Sequence, residues 1–214
     1  TEILMPMSSK SIHERAPHVK AVMLYGPKKT GKTMLVRAIA TELCATFFDI
    51  SPENICERFK DNPKDMATMI KMTFEVAKAM QPSVIYVNNI DMVFKAKKKA
   101  KKDKKKAPKK SKKAIPGSNK IRKELEAQVA SLTPGQRVLC VCETSDPAEG
   151  EGFTDFFDRM IYTPIPDYGS CQTIWKSLIE KKLDGPVPPS LDISTLAYIC
   201  NGYPSGIVSY CLNL

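Results

Sequence analysis

The residues best suited to chemistry are the eight from Gly26 to Thr33, GPKKTGKT, which match the spacing GxxxxGK[ST]. Glycines let backbone N–H groups turn inward toward phosphate oxygens, and the start of a following helix adds partial positive charge. The Lys32 ammonium can reach the terminal phosphates of a nucleotide, and the Thr33 hydroxyl can ligate Mg²⁺. We therefore predict a nucleotide site at Gly26, Pro27, Lys28, Lys29, Thr30, Gly31, Lys32, Thr33 and Met34.

The chain around this loop alternates between strand and helix patterns. Apolar runs predict strands at 20–25, 46–50, 83–87, 138–142 and 160–163. Helical spacing predicts helices at 32–43, 65–80, 119–132, 171–182, 193–200 and from 205 onward. The alternation favours an α/β fold, in which a parallel sheet lies between two layers of helices and a small helical domain follows.

Three segments follow from this pattern. Residues 1–18 are a lead-in, residues 19–166 form the α/β domain, and residues 167–214 form a small helical lid domain. A lysine-rich insertion at 95–118 interrupts the α/β domain. Because the chain starts abruptly and stops inside a helical pattern, we expect it to be part of a longer protein, truncated within the lid domain.

Composition excludes some classes of protein. Of the 214 residues, 43% are hydrophobic, which is ordinary for a globular protein. The longest apolar runs are far shorter than the roughly 20 residues that a membrane-spanning helix needs. The seven cysteines form no CxxC pair, so we expect buried, reduced thiols in a cytosolic compartment and no zinc site.

A polylysine segment accounts for the basic charge. Residues 95–113 contain 13 lysines and one acid, which gives this segment +12, whereas the rest of the chain carries −2. We predict an extended, disordered loop that is either solvated without a fixed partner or anchors a polyanion: nucleic acid, anionic lipid or acidic tubulin tails. The candidate contacts are Lys97, Lys98, Lys99, Lys101, Lys102, Lys104, Lys105, Lys106, Lys109, Lys110, Lys112 and Lys113. No aromatic residues are interleaved, so stacking on single-stranded bases is not supported.

Five motifs in order resemble the ATPase module of the AAA family. The loop resembles GPPGTGKT, PSVIYVNNID (82–91) resembles PSIIFIDEID, and RVLCVCETSDP (137–147) resembles RVLVIGATNRP. RMIYTPIPD (159–167) resembles RRIYVPLPD, and GYPSG (202–206) resembles part of GYSGAD. The resemblance extends from about 19 to 213 and implies the three-layer αβα fold of P-loop NTPases with a helical lid, and ATP or ADP as the ligand, with Mg²⁺ as a possible companion.

The departures from the family pattern fall where hydrolysis would occur. Asn88 replaces the aspartate that holds Mg²⁺, and Asn89 replaces the glutamate that polarises water. An amide cannot accept a proton, so the general base is lost. Ser145 replaces an asparagine that senses the γ-phosphate, and Asp155 and Phe156 replace two arginines that act on a neighbouring subunit.

Some positions leave alternatives open. Asp91 lies two residues beyond Asn89 and is a candidate metal ligand, in addition to Thr33, that could replace the lost acids. The family, however, has an aspartate at this position as well as its catalytic pair. Phe59 stands where the family has a central-pore aromatic, but we favour an apolar residue that closes a short helix. The resemblance thus predicts a degenerate ATPase that binds nucleotide with weak or no hydrolysis.

Within the family, the lost acids and the basic insertion resemble a subunit of the nexin–dynein regulatory complex of motile cilia. This resemblance implies a scaffold in the axoneme, within the cytoskeleton of the cytoplasm, that helps to regulate microtubule sliding. Its partners would be other subunits of that complex, the doublet microtubule and, through segments absent from this sequence, calmodulin; we expect no membrane partner. Two alternatives remain: an active AAA enzyme that remodels a protein polymer, and, less favoured, a nucleic-acid-associated AAA protein.

Overall fold

A computed structural model describes residues 3–58, 63–94, 118–149 and 152–212. The polylysine segment and Phe59 lie outside these ranges, so the predictions made for them are not addressed by the structure. No helix within the described residues is long and apolar enough to cross a membrane.

Five strands form one sheet. They are β1 (Ala21–Tyr25), β2 (Thr46–Asp49), β3 (Ser83–Val87), β4 (Val138–Thr144) and β5 (Arg159–Tyr162). The strand order is β2-β3-β4-β1-β5, and the pairings β2–β3, β3–β4 and β4–β1 are parallel. Every residue of β3 and β4 is buried, as expected of central strands with both faces covered. The predicted α/β fold is confirmed.

Helices precede, connect and follow these strands along the chain. Before and within the sheet they are α1 (Leu4–Ser8), α2 (Lys10–His13), α3 (Lys32–Glu42), α4 (Pro52–Arg58), α5 (Pro63–Ala79), α6 (Asp91–Phe94), α7 (Ser118–Ala130) and α8 (Phe153–Phe156). After the sheet they are α9 (Tyr168–Leu183), α10 (Ile193–Ile199) and α11 (Ser205–Leu212). Helices α1 and α2 lie in the predicted lead-in, and Met7 of α1 is only 2% exposed within the core.

The described residues divide into two compact units, one within 1–25 and 33–161 and the other within 26–32 and 162–214. In the first unit, side chains of β3 and β4 alternate between two cores. Leu139 and Val141 share a core with Val36 of α3, whereas Cys140 and Cys142 share a core with residues of α5, α6 and α7. This alternation decides which side chains face α3.

The second unit has its own core. Cys171, Trp175 and Ile179 of α9 pack with Ala197 of α10 and Val208 of α11. Each of the first two helices begins with an aspartate cap: Asp167 accepts from the Ser170 N–H at 2.9 Å, and Asp192 accepts from the Ser194 N–H at 2.9 Å. Hydrogen bonds from Ser170 lower the pKa of Asp167, and hydrogen bonds from Thr195, with a smaller effect of Ser194, lower the pKa of Asp192.

Two predictions need correction. Strand β4 continues two residues beyond the predicted end at Cys142, because Glu143 and Thr144 pair with Leu24 and Tyr25 of β1. A charged and a polar residue hide this extension from an apolar-run criterion. The thiols of Cys44 and Cys211 are exposed, whereas those of Cys140, Cys142 and Cys171 are buried as predicted.

Candidate functional site

The loop between β1 and α3 has the backbone of a phosphate cradle. Gly26 has φ of 147°, Gly31 has φ of 89°, and Lys29 has φ of 64°. A Cβ on Gly26 would lie 2.3 Å from the carbonyl oxygen of Thr163, so no other residue fits there without a shift of the backbone. The loop therefore keeps the conformation for which its glycines are needed.

The Lys32 side chain folds over this loop. Its ammonium donates to the carbonyl oxygens of Gly26 at 2.9 Å and Pro27 at 2.6 Å. Lys32 is only 6% exposed. A buried ammonium held by carbonyl groups brings positive charge into the loop, and bound phosphate can exchange with these carbonyls as its partner.

The start of α11 also contacts the loop. The Gly206 N–H donates to the Lys29 carbonyl at 2.8 Å, and a Cβ on Gly206 would lie 2.9 Å from that oxygen. The segment 202–206 thus contacts the loop through Gly206. Lys28, Lys29 and Met34 are exposed, so the structure places these predicted contacts at the surface.

A hydrogen-bonded group of three side chains lies at the start of α3. The Thr33 hydroxyl donates to Glu143, with its oxygen 3.0 Å from Oε1 and 3.1 Å from Oε2. The Tyr86 hydroxyl donates to Thr33 at 3.3 Å. Burial raises the pKa of Tyr86 well above its usual range, and the charge of Glu143 adds to this effect, so the phenol stays protonated. Sequence analysis included Thr33 but missed Glu143 and Tyr86.

The two asparagines that follow β3 are engaged by polar groups. The Asn88 N–H donates to Ser51 Oγ at 3.0 Å, and the Asn89 amide Nδ2 donates to Glu53 Oε1 at 2.8 Å. Glu53 lies in the first turn of α4. At the position of the family's general base, the chain therefore has a hydrogen-bond donor that binds a carboxylate.

Asp91 belongs to a different surrounding. Its carboxylate accepts from the Thr144 hydroxyl at 3.3 Å, and it is 3% exposed at the start of α6. The neighbouring Val93 and Phe94 pack in the core on the side of α5 and α7. Metal binding by Asp91 stays a prediction. Ser145 follows β4 directly and is half-buried, and a role at the γ-phosphate stays a prediction.

The positions of the missing arginines have another use. Phe156 of α8 lies 5.2 Å from Phe94 and 4.7 Å from Phe157, between ring centroids, within a cluster that includes Phe153. Asp155 is exposed beside it. A half-buried aromatic side chain packed against the core and an exposed acid cannot stabilise phosphate charge as arginines do.

The residues present fit a nucleotide. The cradle excludes a Cβ at Gly26, positive charge is buried at Lys32, and Thr33 carries a hydroxyl beside the carboxylate of Glu143. Within the described ranges, no group of three or more His, Cys, Asp or Glu side chains could hold a metal alone. Any Mg²⁺ bound here would therefore take some of its ligands from nucleotide phosphates and water, as Mg²⁺ commonly does.

Comparison with known proteins identifies the family. A family model described as "ATPase family associated with various cellular activities (AAA)" matches residues 22–151. Among curated proteins, the chain is 34% identical over 216 residues to Dynein regulatory complex protein 11 of Mus musculus, covering 95% of this chain and 23% of that protein. It is 27% identical over 188 residues to Spastin of Anopheles gambiae, covering 86% of this chain and 21% of that protein.

Solved structures show the same fold. The structure titled "Crystal structure of FIGL-1 AAA domain in complex with ADP" aligns with a TM-score of 0.72 and 22% identity, covering 96% of this chain and 63% of that chain. The structure titled "Structural Basis for Katanin Self-Assembly" aligns with a TM-score of 0.70 and 22% identity, covering 99% of this chain and 65% of that chain. This chain spans less than a quarter of the curated relatives it matches. It belongs to the AAA family of ATPases.

Proposed function

We propose that this chain is a degenerate AAA domain that holds ATP or ADP and hydrolyses it slowly or not at all. The observation that carries the proposal is the contrast between the phosphate loop and the position of the general base. The cradle at Gly26 and Lys32 is intact, whereas Asn89 donates its amide to Glu53 at 2.8 Å where a general base would stand. The aromatic packing of Phe156 supports the same conclusion, because the domain has no arginine there to act on a neighbour.

The test is steady-state ATP turnover by the purified protein with Lys32→Ala as the control. We expect the wild-type rate to equal that of the control, because neither has a competent base. A second variant, Asn88→Asp with Asn89→Glu, restores both acids and is expected to raise turnover above the control. Wild-type turnover well above the control would contradict the proposal.

We further propose that the domain is a scaffold in a dynein regulatory complex, in the axoneme of a cilium or flagellum. The relative from mouse, at 34% identity over almost the whole chain, supports this assignment. The partners would be other subunits of that complex, with calmodulin bound by parts of the longer protein. Co-purification of tagged full-length protein with that complex tests the assignment, and recovery without its subunits would contradict it.

The polylysine segment is the proposed contact of this scaffold with the microtubule. We propose that its charge of +12 binds the acidic tails of tubulin. Cosedimentation with microtubules should be lost when 95–113 is deleted, and it should weaken steeply with added salt. Microtubules whose acidic tails have been cleaved are the matched control. Equal binding to tailless microtubules would contradict this contact, and binding to DNA or RNA of equal strength would favour the nucleic-acid alternative.

A second candidate function is an active AAA enzyme that remodels a protein polymer. Two observations favour it: the 27% identity to spastin proteins and the carboxylate of Glu143 at Thr33. It needs the missing base and arginine from elsewhere in an assembly. Turnover that appears only when the partner subunits are added would favour this candidate over the scaffold.

A further inference from the structure

Glu143 is an acidic side chain in a buried central strand. It is 7% exposed, and every other residue of β4 is also buried. Removing a carboxylate from water is costly unless hydrogen bonds or an opposite charge compensate. A glutamate at this position therefore needs a stronger reason than packing.

The alternation of β4 places Glu143 on the side of α3. Its strand neighbours on the same face, Leu139 and Val141, share a core with Val36 of α3 and with Tyr86 of β3. Thr33 is the second residue of α3. The carboxylate thus lies where the helix of the phosphate loop begins, on the face opposite the pair of Asp91 and Thr144.

The oxygen atoms have the spacing of neighbouring metal ligands. Thr33 Oγ1 lies 3.0 Å from Oε1 and 3.1 Å from Oε2 of Glu143. Mg²⁺ binds octahedrally at about 2.0–2.1 Å, so adjacent ligand oxygens lie about 3 Å apart. A hydroxyl and a carboxylate are also oxygen ligands of the kind that Mg²⁺ prefers. The pair can receive this cation with little movement.

Tyr86 fixes the orientation of the pair. Its hydroxyl donates to Thr33 Oγ1 at 3.3 Å, so the Thr33 proton is directed toward Glu143. Both Tyr86 and Glu143 replace apolar residues of the family motifs that these segments resemble, in which phenylalanine and alanine stand at the two positions. The polar replacements lie together in space although 57 residues separate them in sequence.

We propose that Glu143 supplies from β4 the metal-binding carboxylate that Asn88 lacks at the end of β3, so that Thr33 and Glu143 hold Mg²⁺ on a bound nucleotide. This inference rests on the proposed nucleotide binding. It assigns a cation site without restoring the general base, because Glu143 would be occupied as a ligand of the cation and the position of Asn89 stays an amide. The domain then binds a magnesium–nucleotide complex and retains it.

The test is isothermal titration calorimetry, in which ADP is titrated into the protein once in excess Mg²⁺ and once in EDTA. In the wild type, Mg²⁺ should strengthen ADP binding about tenfold or more, since loss of even a group that supports a metal ligand commonly lowers metal affinity by about 10–100-fold. In Glu143→Gln this enhancement should disappear, while ADP binding in EDTA should be unchanged or tighter because a negative charge has been removed. The matched control is Glu42→Gln, an exposed site on α3, which should behave as wild type.

A rescue variant protects the test against a folding defect. Adding Asn88→Asp to Glu143→Gln returns a carboxylate to the end of β3 and should restore the Mg²⁺ enhancement. Mn²⁺ with ADP gives an independent readout, since the electron paramagnetic resonance spectrum of immobilised Mn²⁺ should be lost in Glu143→Gln and return in the rescue variant.

The outcomes distinguish a failure of the proposed Glu143 site from a failure of nucleotide binding. ADP that binds equally well in EDTA and Mg²⁺, or a Glu143→Gln protein that keeps the enhancement, overturns the role of Glu143 and leaves nucleotide binding intact. No ADP binding by the wild type under either condition overturns both the proposed nucleotide binding and this inference.

Discussion

At the scale of single residues, Lys32 allows nucleotide binding to be tested separately from hydrolysis, because it belongs to the phosphate loop. Its ammonium is buried on the Gly26 and Pro27 carbonyls, so the charge is already within the loop before any ligand arrives. We predict that saturating ATP raises the melting temperature of the wild type but not that of Lys32→Ala. At a hundredfold excess over Kd the stabilisation is about 2.7 kcal/mol. Scanning calorimetry with and without ATP measures it, and equal ATP shifts in both proteins would contradict the role of Lys32.

Gly26 provides a second test at this scale. Its φ of 147° and the 2.3 Å approach of a Cβ to Thr163 O mean that alanine must strain the backbone. We predict that Gly26→Ala costs about 1–3 kcal/mol and weakens ATP binding. Gly135→Ala is the matched control, since a Cβ there meets nothing within 4 Å. Chemical unfolding and nucleotide titration of both variants check this, and equal behaviour would show that the loop tolerates a side chain.

At the scale of elements, an aromatic cluster holds α6 and α8 together. Phe94 is 0% exposed, lies 5.2 Å from the rings of Phe153 and Phe156, and has the Arg122 guanidinium 4.6 Å from its centroid. We predict that Phe94→Ala lowers the free energy of unfolding by about 3–5 kcal/mol. Met72→Ala, at a side chain 60% exposed on α5, should change it by about 0.5 kcal/mol or less. Urea unfolding measures both, and a small effect at Phe94 would mean that α8 is held by other contacts.

The sequence predicted most of these elements and one half of the site. Strand β3 was predicted at 83–87 as observed, because an apolar run between Pro82 and Asn88 has clear limits. The phosphate loop was predicted because its chemistry is local. Glu143 was missed because its role depends on β4 extending along β1 to pair with Leu24, which is a tertiary contact. The signal available beforehand was a glutamate at an alanine position of a buried-strand motif.

At the scale of the whole molecule, the N-terminal segment makes folding sensitive to pH. The ring of His18 lies 5.5 Å from that of His13. Burial lowers the pKa of His18 below its usual 6.5, with His13 and Lys20 adding to the effect and Asp158 opposing it. Below about pH 6.5, His18 therefore binds a proton more readily in the unfolded chain than in the folded chain. The free energy of unfolding consequently falls as the pH decreases.

We accordingly predict a lower urea midpoint at pH 5.5 than at pH 7.5, and a smaller difference in His18→Gln. The free energies of unfolding at the two pH values provide the measurement. A decline of equal size in both proteins would assign the pH dependence to other groups.

For the whole domain, we propose that nucleotide binding is retained and that hydrolysis has been lost. In this proposal the loop glycines and Lys32 hold phosphate, the Thr33–Glu143 pair holds the cation, and Asn89 and Phe156 stand where the family has its general base and an arginine. A nucleotide that is held and not turned over acts as part of the fold and stabilises it by mass action. This is the behaviour expected of a scaffold.

The most direct measurement is the chemical identity of the nucleotide that the protein retains. The wild type is incubated with Mg²⁺ and ATP carrying a label on its α-phosphate, separated from free nucleotide, and its bound label is resolved into ATP and ADP over time. We predict that the wild type retains ATP for the length of the incubation, that Lys32→Ala retains none, and that Asn88→Asp with Asn89→Glu accumulates ADP. Rapid appearance of ADP in the wild type, or no retained nucleotide at all, would contradict the account.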